Sequence, residues 1–293
     1  SKNTYVASDK LTRAKLLELV VATDVEDDNN KTVGQTANQK LTVTSITKDG
    51  KTFNLNDTDY LKKGSYVVTY GTSDAAGTAA DSITRTIEVK SIADVTTINL
   101  NQKETFNASD VADNGFTDAV RGRFVEKIKQ QNQNLPTTAR VEKMTDAGFG
   151  NVAKITFEDD SYKVVTGTEI AVPVAPTFTG SREFGNDLGS IERRIAGTGI
   201  PGATVKIALQ NNKEVTTRVG ANGNWEYELR NDELLTQNEK QDAKTKAAKG
   251  VSIKQEISGM TSASTLVKVR LGEAKFEETP VQAGRDIVVR VPH

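Results

Sequence analysis

The stretch Gly197-Thr198-Gly199-Ile200-Pro201-Gly202-Ala203-Thr204-Val205-Lys206-Ile207, followed by Gly220-Ala221-Asn222-Gly223-Asn224-Trp225-Glu226-Tyr227-Glu228-Leu229, decides the fold class. A Gly/Pro turn leads into an alternating strand, and an Asn-Gly turn then leads into an aromatic strand. Val205, Ile207 and Leu209 alternate with polar residues, as do Trp225, Tyr227 and Leu229, then Val251, Ile253 and Ile257, and finally Val267, Val269 and Leu271. A period of two over short runs separated by turns describes a half-buried antiparallel sandwich. The polar stretch from Asn231 to Gly250, rich in Gln and Lys, reads as a loop with room for a turn of helix.

Working outward, Val172-Pro173-Val174-Ala175-Pro176-Thr177 carries two prolines and reads as a stiff, extended linker. Before it, Phe116 to Gln131 places Phe116, Val120, Phe124 and Ile128 at spacing four, with Val125 beside them, and predicts a helix that ends ahead of Pro136. Ala139–Lys143, Val152–Phe157 and Tyr162–Val165 follow as a meander, and Thr97-Ile98-Asn99-Leu100 is a further strand candidate. Nearer the start, Leu11, Leu16, Leu19 and Val20 predict a short helix capped at Ser8 or Asp9. Strands around Leu41–Thr44, Ser65–Tyr70 and Ile83–Val89 complete that part, with Ile83, Ile87 and Val89 on one face.

The resulting organisation is mainly β. A sandwich spans 1–91, a small α+β unit carrying one helix spans 92–174, and a second sandwich spans 175–271. Residues 272–293 supply extra strands or the start of a further unit, and the units are expected to follow one another as an elongated rod.

Composition excludes several functions. Lys and Arg number 38 against 39 Asp and Glu, a net charge of −1 without basic clustering, so a nucleic-acid surface is not expected. There is no cysteine, which removes disulfides, thiolate metal sites and cysteine nucleophiles. The one histidine is His293, so Ser-His catalysis and multi-histidine metal sites have no basis. No apolar run is long enough to span a bilayer. Aromatic residues make up 5% of the chain, which predicts small aliphatic cores.

The run Val21-Ala22-Thr23-Asp24, Gly64-Ser65-Tyr66-Val67-Val68-Thr69-Tyr70, Ser73-Asp74-Ala75-Ala76-Gly77 and Thr84-Arg85-Thr86-Ile87-Glu88-Val89 resembles cadherin-like and Ig-like repeats of bacterial surface proteins over about residues 10–90. The third part resembles bacterial Ig-like repeats. The middle part, with Asn134-Leu135-Pro136 and Thr156-Phe157-Glu158-Asp159-Asp160-Ser161, is similar to repeats of long staphylococcal and streptococcal surface proteins, although its acidic turn departs from their hairpin pattern. This resemblance implies a segment of a longer, cell-wall-anchored adhesin of a Gram-positive bacterium, extracellular and monomeric. It would act as a stalk and adhesion module toward host matrix or in biofilm, with a host extracellular-matrix protein or glycan, or neighbouring modules of the same surface protein, as its partners. Direct recognition of a host protein or glycan, and a noncatalytic part of a secreted wall hydrolase, are the alternatives.

Site candidates are few. The acidic loop Asp24, Glu26, Asp27 and Asp28, with Asp74, offers the hard oxygen ligands that calcium takes, but lacks EF-hand spacing, and a solvated acidic turn is the competing reading. No cofactor is otherwise expected. The pairs Asp159/Asp160 and Glu277/Glu278 are adjacent residues that point apart, unlike the facing carboxylates of a glycosidase, and read as surface charge. Trp225 is either a sugar-stacking platform or a core residue of its strand, with its alternation favouring the core. Asn107–Phe116 and Asn231–Gly250 are the loops most suited to ligand contact. Lys-Asn isopeptide bonds occur in related proteins, but no reacting trio can be picked out. An enzyme is not expected.

Overall fold

The computed structural model describes residues 3–23, 40–74, 76–235 and 250–270. The architecture is mainly β. It forms two compact units that do not follow chain order.

The first unit comprises the described residues of Ser1–Ile98, Asn134–Arg140 and Ile155–Lys163. It contains β1 (Thr4–Val6), α1 (Arg13–Leu17), β2 (Thr42–Lys48), β3 (Lys51–Thr52), β4 (Gly64–Gly71), β5 (Ile83–Lys90) and α2 (Ile92–Val95). The strands form one sheet in the order β1-β5-β4-β2-β3. Alternation along β4 turns Tyr66, Val68 and Tyr70 inward, where Leu16, Ile46, Leu61 and Ile87 also lie buried. The Tyr70 hydroxyl donates to the Leu16 carbonyl at 2.9 Å, which satisfies a polar atom inside this core. Ile83 starts the closing strand but is 52% exposed, so only Ile87 and Val89 of the expected trio reach the interior. The predicted helix is shorter and begins later than its expected caps. Ala7–Asp9 forms a separate 3-10 turn, Lys10 takes a left-handed φ of 50°, and Thr12 caps α1 by accepting from the Lys15 N–H at 3.3 Å.

The second unit comprises the described residues of Asn99–Gln133, Val141–Lys154 and Val164–His293. Between residues 99 and 174 lie β6 (Glu104–Phe106), β7 (Val111–Ala112), β8 (Gly115–Phe116), α3 (Asp118–Gln131), β9 (Arg140–Lys143), β10 (Asn151–Thr156), β11 (Tyr162–Thr166), α4 (Gly167–Ile170) and β12 (Ala171–Pro173), of which β9, β10 and β11 have residues assigned to each unit. The expected meander forms in the order β11-β10-β9. Thr97–Leu100 is not a strand. The Asn99 N–H donates to the Asn132 side chain at 2.7 Å, and the strand forms instead at β6.

Phe116 belongs to β8 rather than the helix, because Thr117 caps α3 through the Val120 N–H. The core beside it is aromatic, contrary to the aliphatic core expected from composition. Phe116 makes edge-to-face contacts with Phe106, Phe124 and Phe149, each at 5.0 Å between ring centroids. Such pairs add about 0.5–1.5 kcal/mol each beyond burial.

The remaining strands are β13 (Leu188–Gly189), β14 (Arg194–Thr198), β15 (Thr204–Ala208), β16 (Glu214–Arg218), β17 (Asn224–Glu228), β18 (Gly250–Ile257), β19 (Met260–Thr261) and β20 (Thr265–Arg270). One sheet runs β13-β20-β18-β15-β16, with β19 on β18, and β14 pairs with β17 in another. Buried Ile195 and Trp225 come from the smaller sheet, and Val205, Ile207, Val251, Ile253, Val267 and Val269 from the larger. Between β14 and β15, Pro201 and Gly202 form the turn read from sequence. Gly202 has a φ of 83° and the Ala203 N–H closes on the Ile200 carbonyl at 3.0 Å.

Candidate functional site

The stretch read as a linker is woven into the second unit. Its first part is β12, which pairs with β6. Beyond it, the Thr177 N–H donates to the Thr198 carbonyl and the Thr179 N–H to the Ala196 carbonyl, both at 2.9 Å. Two side chains hold the carbonyls between. Thr265 donates its hydroxyl to Pro176 at 2.6 Å, and Gln255 donates its amide to Val174 at 2.7 Å.

Gln255 is fully buried on β18, opposite Val205. Its Oε1 accepts from the Ile200 N–H at 2.8 Å, and its main chain exchanges hydrogen bonds with Ser262. A single amide thus ties the incoming segment to the Ile200-Pro201-Gly202 turn. Sequence reading passed over it, although its place in the alternation after Val251 and Ile253 puts it on the inward face.

Arg121 is a second residue that sequence reading missed. It is 3% exposed on α3, between the core residues Val120 and Phe124. Its guanidinium donates to the carbonyls of Met144 (3.0 Å), Asn151 (2.6 Å), Gly148 (2.9 Å) and Asp146. Burial pulls its pKa below the ordinary arginine value, while Asp146 and Asp118 act the other way. The five rigid donors of the fork suit this fan of acceptors and fix the Asp146–Gly150 turn.

Trp225 is 2% exposed, and its indole N–H donates to the Thr198 carbonyl at 3.1 Å. It presents no open face on which a sugar could stack. The opposite neighbour Gly197 makes room for it, since a Cβ there would lie 2.8 Å from the indole and run into the Thr177 carbonyl. Beside this strand pair is an open polar groove of about 610 Å³, lined by Arg194, Thr198, Arg218, Asn222, Asn224 and Glu226 among others. Arg194 spends two donors on one Glu226 oxygen, at 2.9 and 2.6 Å.

The other candidates have local roles. Asp24, Glu26, Asp27 and Asp28 lie outside the described residues, as do Glu277, Glu278 and His293. Asp74 accepts from the Thr78 N–H at 2.6 Å, and that bond holds its carboxyl below the usual range. Among the described residues, no group of three or more His, Asp or Glu side chains is placed to hold a metal ion.

Asp159 is 6% exposed rather than surface charge, because its carboxylate accepts from the Ile92 N–H at 2.9 Å and from Ser161. Its neighbour Asp160 points elsewhere and pairs with Lys62 at 2.5 Å. The Asn107–Phe116 segment is a capped turn and a hairpin, not an open loop. Asp110 accepts from the Asn107 N–H and pairs with Arg123, while Asp113 and Asn114 both take left-handed φ at the β7–β8 turn. Of the Asn231–Gly250 loop, 236–249 lie outside the described residues.

Lys213, Asp232 and Glu233 form a charged cluster that holds no asparagine for a Lys-Asn bond. Lys213 Nζ lies 2.8 Å from Glu233 and 3.1 Å from Asp232. Glu233 is buried and also accepts from the Arg230 N–H and the Tyr227 hydroxyl. The Lys213 contact, with these bonds, holds its carboxyl at about 2, while Glu233 and Asp232 raise the Lys213 pKa. In this geometry Lys213 makes ion pairs with both Glu233 and Asp232.

No family model matches the chain, and no curated protein matches it in sequence. It is similar in structure to the SrpA adhesin from Streptococcus sanguinis, at 17% identity and a TM-score of 0.29, over 37% of this chain and 50% of that one. It is also similar to the sialic acid binding region of the Streptococcus sanguinis SK1 adhesin, at 14% identity and a TM-score of 0.29, over 82% and 68% of the two chains. A third likeness is to the BSP domain of a biofilm associated protein, at 13% identity and a TM-score of 0.27, over 79% and 46%. The chain spans half the length of the first of these. Likenesses this distant carry no argument about what this chain binds.

Proposed function

We propose that this chain is a noncatalytic, extracellular segment of a bacterial surface adhesin, and that its main role is that of a spacer. The observation that carries this reading is the junction at 172–177. A hinge between independent domains would leave its backbone to water. Here the segment is paired with β6 and β14 and held by buried Gln255. Such a connection suits a part that must keep its geometry while other parts bind. The described carboxylates placed above serve turns, caps and ion pairs, which supports a noncatalytic role. The surface setting and cell-wall anchoring, and action toward host matrix or in biofilm, follow the sequence resemblance to Gram-positive repeats.

The polar groove beside β14 and β17 favours a second reading, in which a glycan lies across Arg218, Asn222 and Asn224. Backbone-amide NMR on the intact chain separates the two, with a sialylated trisaccharide and a neutral oligosaccharide as probes. The spacer reading expects no saturable shifts around Trp225. Saturable shifts that Arg218→Ala abolishes would replace it with direct glycan recognition, and release of sugar products would overturn the noncatalytic assignment.

A further inference from the structure

Where β2, β3 and β4 meet, the first unit holds a cavity of about 330 Å³ whose lining lies wholly within residues 48–66. Asp49 and Gly50 join β2 to β3 and both take left-handed φ, the two-residue turn that fixes the register of a hairpin. That register sets Lys48 opposite Lys51 on one side and opposite Tyr66 on the other. Just past the hairpin, the Phe53 N–H donates to the Ile46 carbonyl at 2.8 Å, and the Tyr60 hydroxyl donates to the Glu158 carbonyl at 3.3 Å, so both ring-bearing segments are fastened. Tyr66 is 1% exposed and closes the base, edge-to-face with Phe53 at 5.3 Å between ring centroids. Phe53 and Tyr60 are half-buried, which leaves part of each ring open to the cavity.

The charges around these rings suit an anion. Lys48 Nζ lies 5.5 Å from the Tyr66 ring centre and donates to the Lys63 carbonyl at 3.1 Å, which uses one of the three donors of an ammonium group. Its stem fills the space that a side chain at 64 would need, since a Cβ on Gly64 would lie 2.6 Å from Lys48 Cε. Like charges directly opposite one another destabilise a strand pair, and Lys48 and Lys51 are such a pair. A carboxylate bound between them would remove that cost. Lys62 also lines the cavity but is paired with Asp160 at 2.5 Å. Two carboxylates stand nearby: Asp49 is exposed in the turn, and Asp59 lines the cavity, where its Oδ2 accepts from the Asn56 amide at 3.3 Å. Asp59 and Asn54 therefore offer acceptors for hydroxyl groups at the same opening.

Open aromatic rings pack against the C–H face of a pyranose, ammonium groups take a carboxylate, and the amide and carboxyl oxygens take hydroxyls. A volume near the lower end of the range for ligand pockets suits a single unbranched sugar ring. We infer that this cavity binds one hexuronic acid residue of a glycan, with its ring against Phe53 and Tyr60 and its carboxylate on Lys48 and Lys51. The inference goes beyond the spacer reading and does not rest on it.

Backbone-amide NMR titrations of the intact chain with glucuronate, glucose and acetate, at constant ionic strength, test it. Glucuronate should give saturable shifts at the Phe53, Asn54 and Tyr60 amides. Glucose, which carries a hydroxymethyl group in place of the carboxylate, should bind at least about fivefold more weakly, the share expected of one charged hydrogen bond. Acetate should give no saturable shift there, because it lacks the ring. Lys48→Met, once a thermal melt shows that it folds as the parent does, should bring glucuronate down to the level of glucose. Phe53→Leu should weaken both sugars alike. No saturable shift with glucuronate, equal binding of the two sugars by the parent chain, or equal binding of acetate and glucuronate would overturn the site whether or not the variants fold. These amides lie in the first unit, so the result is read separately from the shifts around Trp225 that decide the spacer reading.

Discussion

The buried amide of Gln255 donates to the carbonyl of Val174 at 2.7 Å and accepts from the Ile200 N–H at 2.8 Å. One side chain therefore satisfies the segment entering the last sandwich and the first turn within it. Gln255→Leu keeps the bulk but strands both backbone groups. At roughly 1–3 kcal/mol for each stranded group, the loss should be about 2–6 kcal/mol. Calorimetry on the intact chain should show a lowered Tm, and an unchanged Tm would mean that neither bond matters to stability.

Arg121 has an analogous role for the Asp146–Gly150 turn, with carbonyls rather than a carboxylate as partners. Arg121→Met should cost at least about 3 kcal/mol, since several buried acceptors lose charged donors together. Arg121→Lys keeps a charge but lacks the planar fork, so it should recover only part of the loss. Urea denaturation should place the three midpoints in the order Arg, Lys, Met.

Glu233 should leave a mark on acid stability. Its folded pKa of about 2 lies below the ordinary 4.5, so its stabilising contribution is present above the unfolded value and is lost as pH falls toward 2. Glu233→Gln should be less stable than the parent at neutral pH, and the two curves should converge as the parent is acidified. Asp94, also held at about 2 by Lys63 and Ser91, remains in the variant and keeps some acid dependence. Thermal melts across this range check the convergence, and a constant gap at every pH would rule out this ionisation as the cause.

Local periodicity made much of the fold readable. Val205 and Ile207, Trp225 and Tyr227, Val251 to Ile257, and the helical spacing of Val120, Phe124 and Ile128 lie in the expected elements, with Leu209 and Leu229 one residue past their strands. Pairings between distant residues were not readable. Glu104–Phe106 has too few residues to show a period, and it becomes a strand because Ala171–Pro173 lies beside it. Phe116 fits the helical spacing, yet Thr117 is a better cap and displaces it into β8. Gln255 and Arg121 were visible as polar residues on inward-facing registers, but their partners lie on other elements. The two prolines at 173 and 176 suggested an extended path without showing that the path is paired.

Hydrogen–deuterium exchange of the Val174 and Thr177 amides in the intact chain tests the central claim most directly. Both N–H groups donate to backbone carbonyls, on Phe106 and Thr198. If the junction is a fixed part of the fold, these amides should exchange as slowly as those of β15 and β18, and should be released only with global unfolding. Exchange at the rate of an unstructured peptide would show a hinge at this position and contradict the fastened spacer.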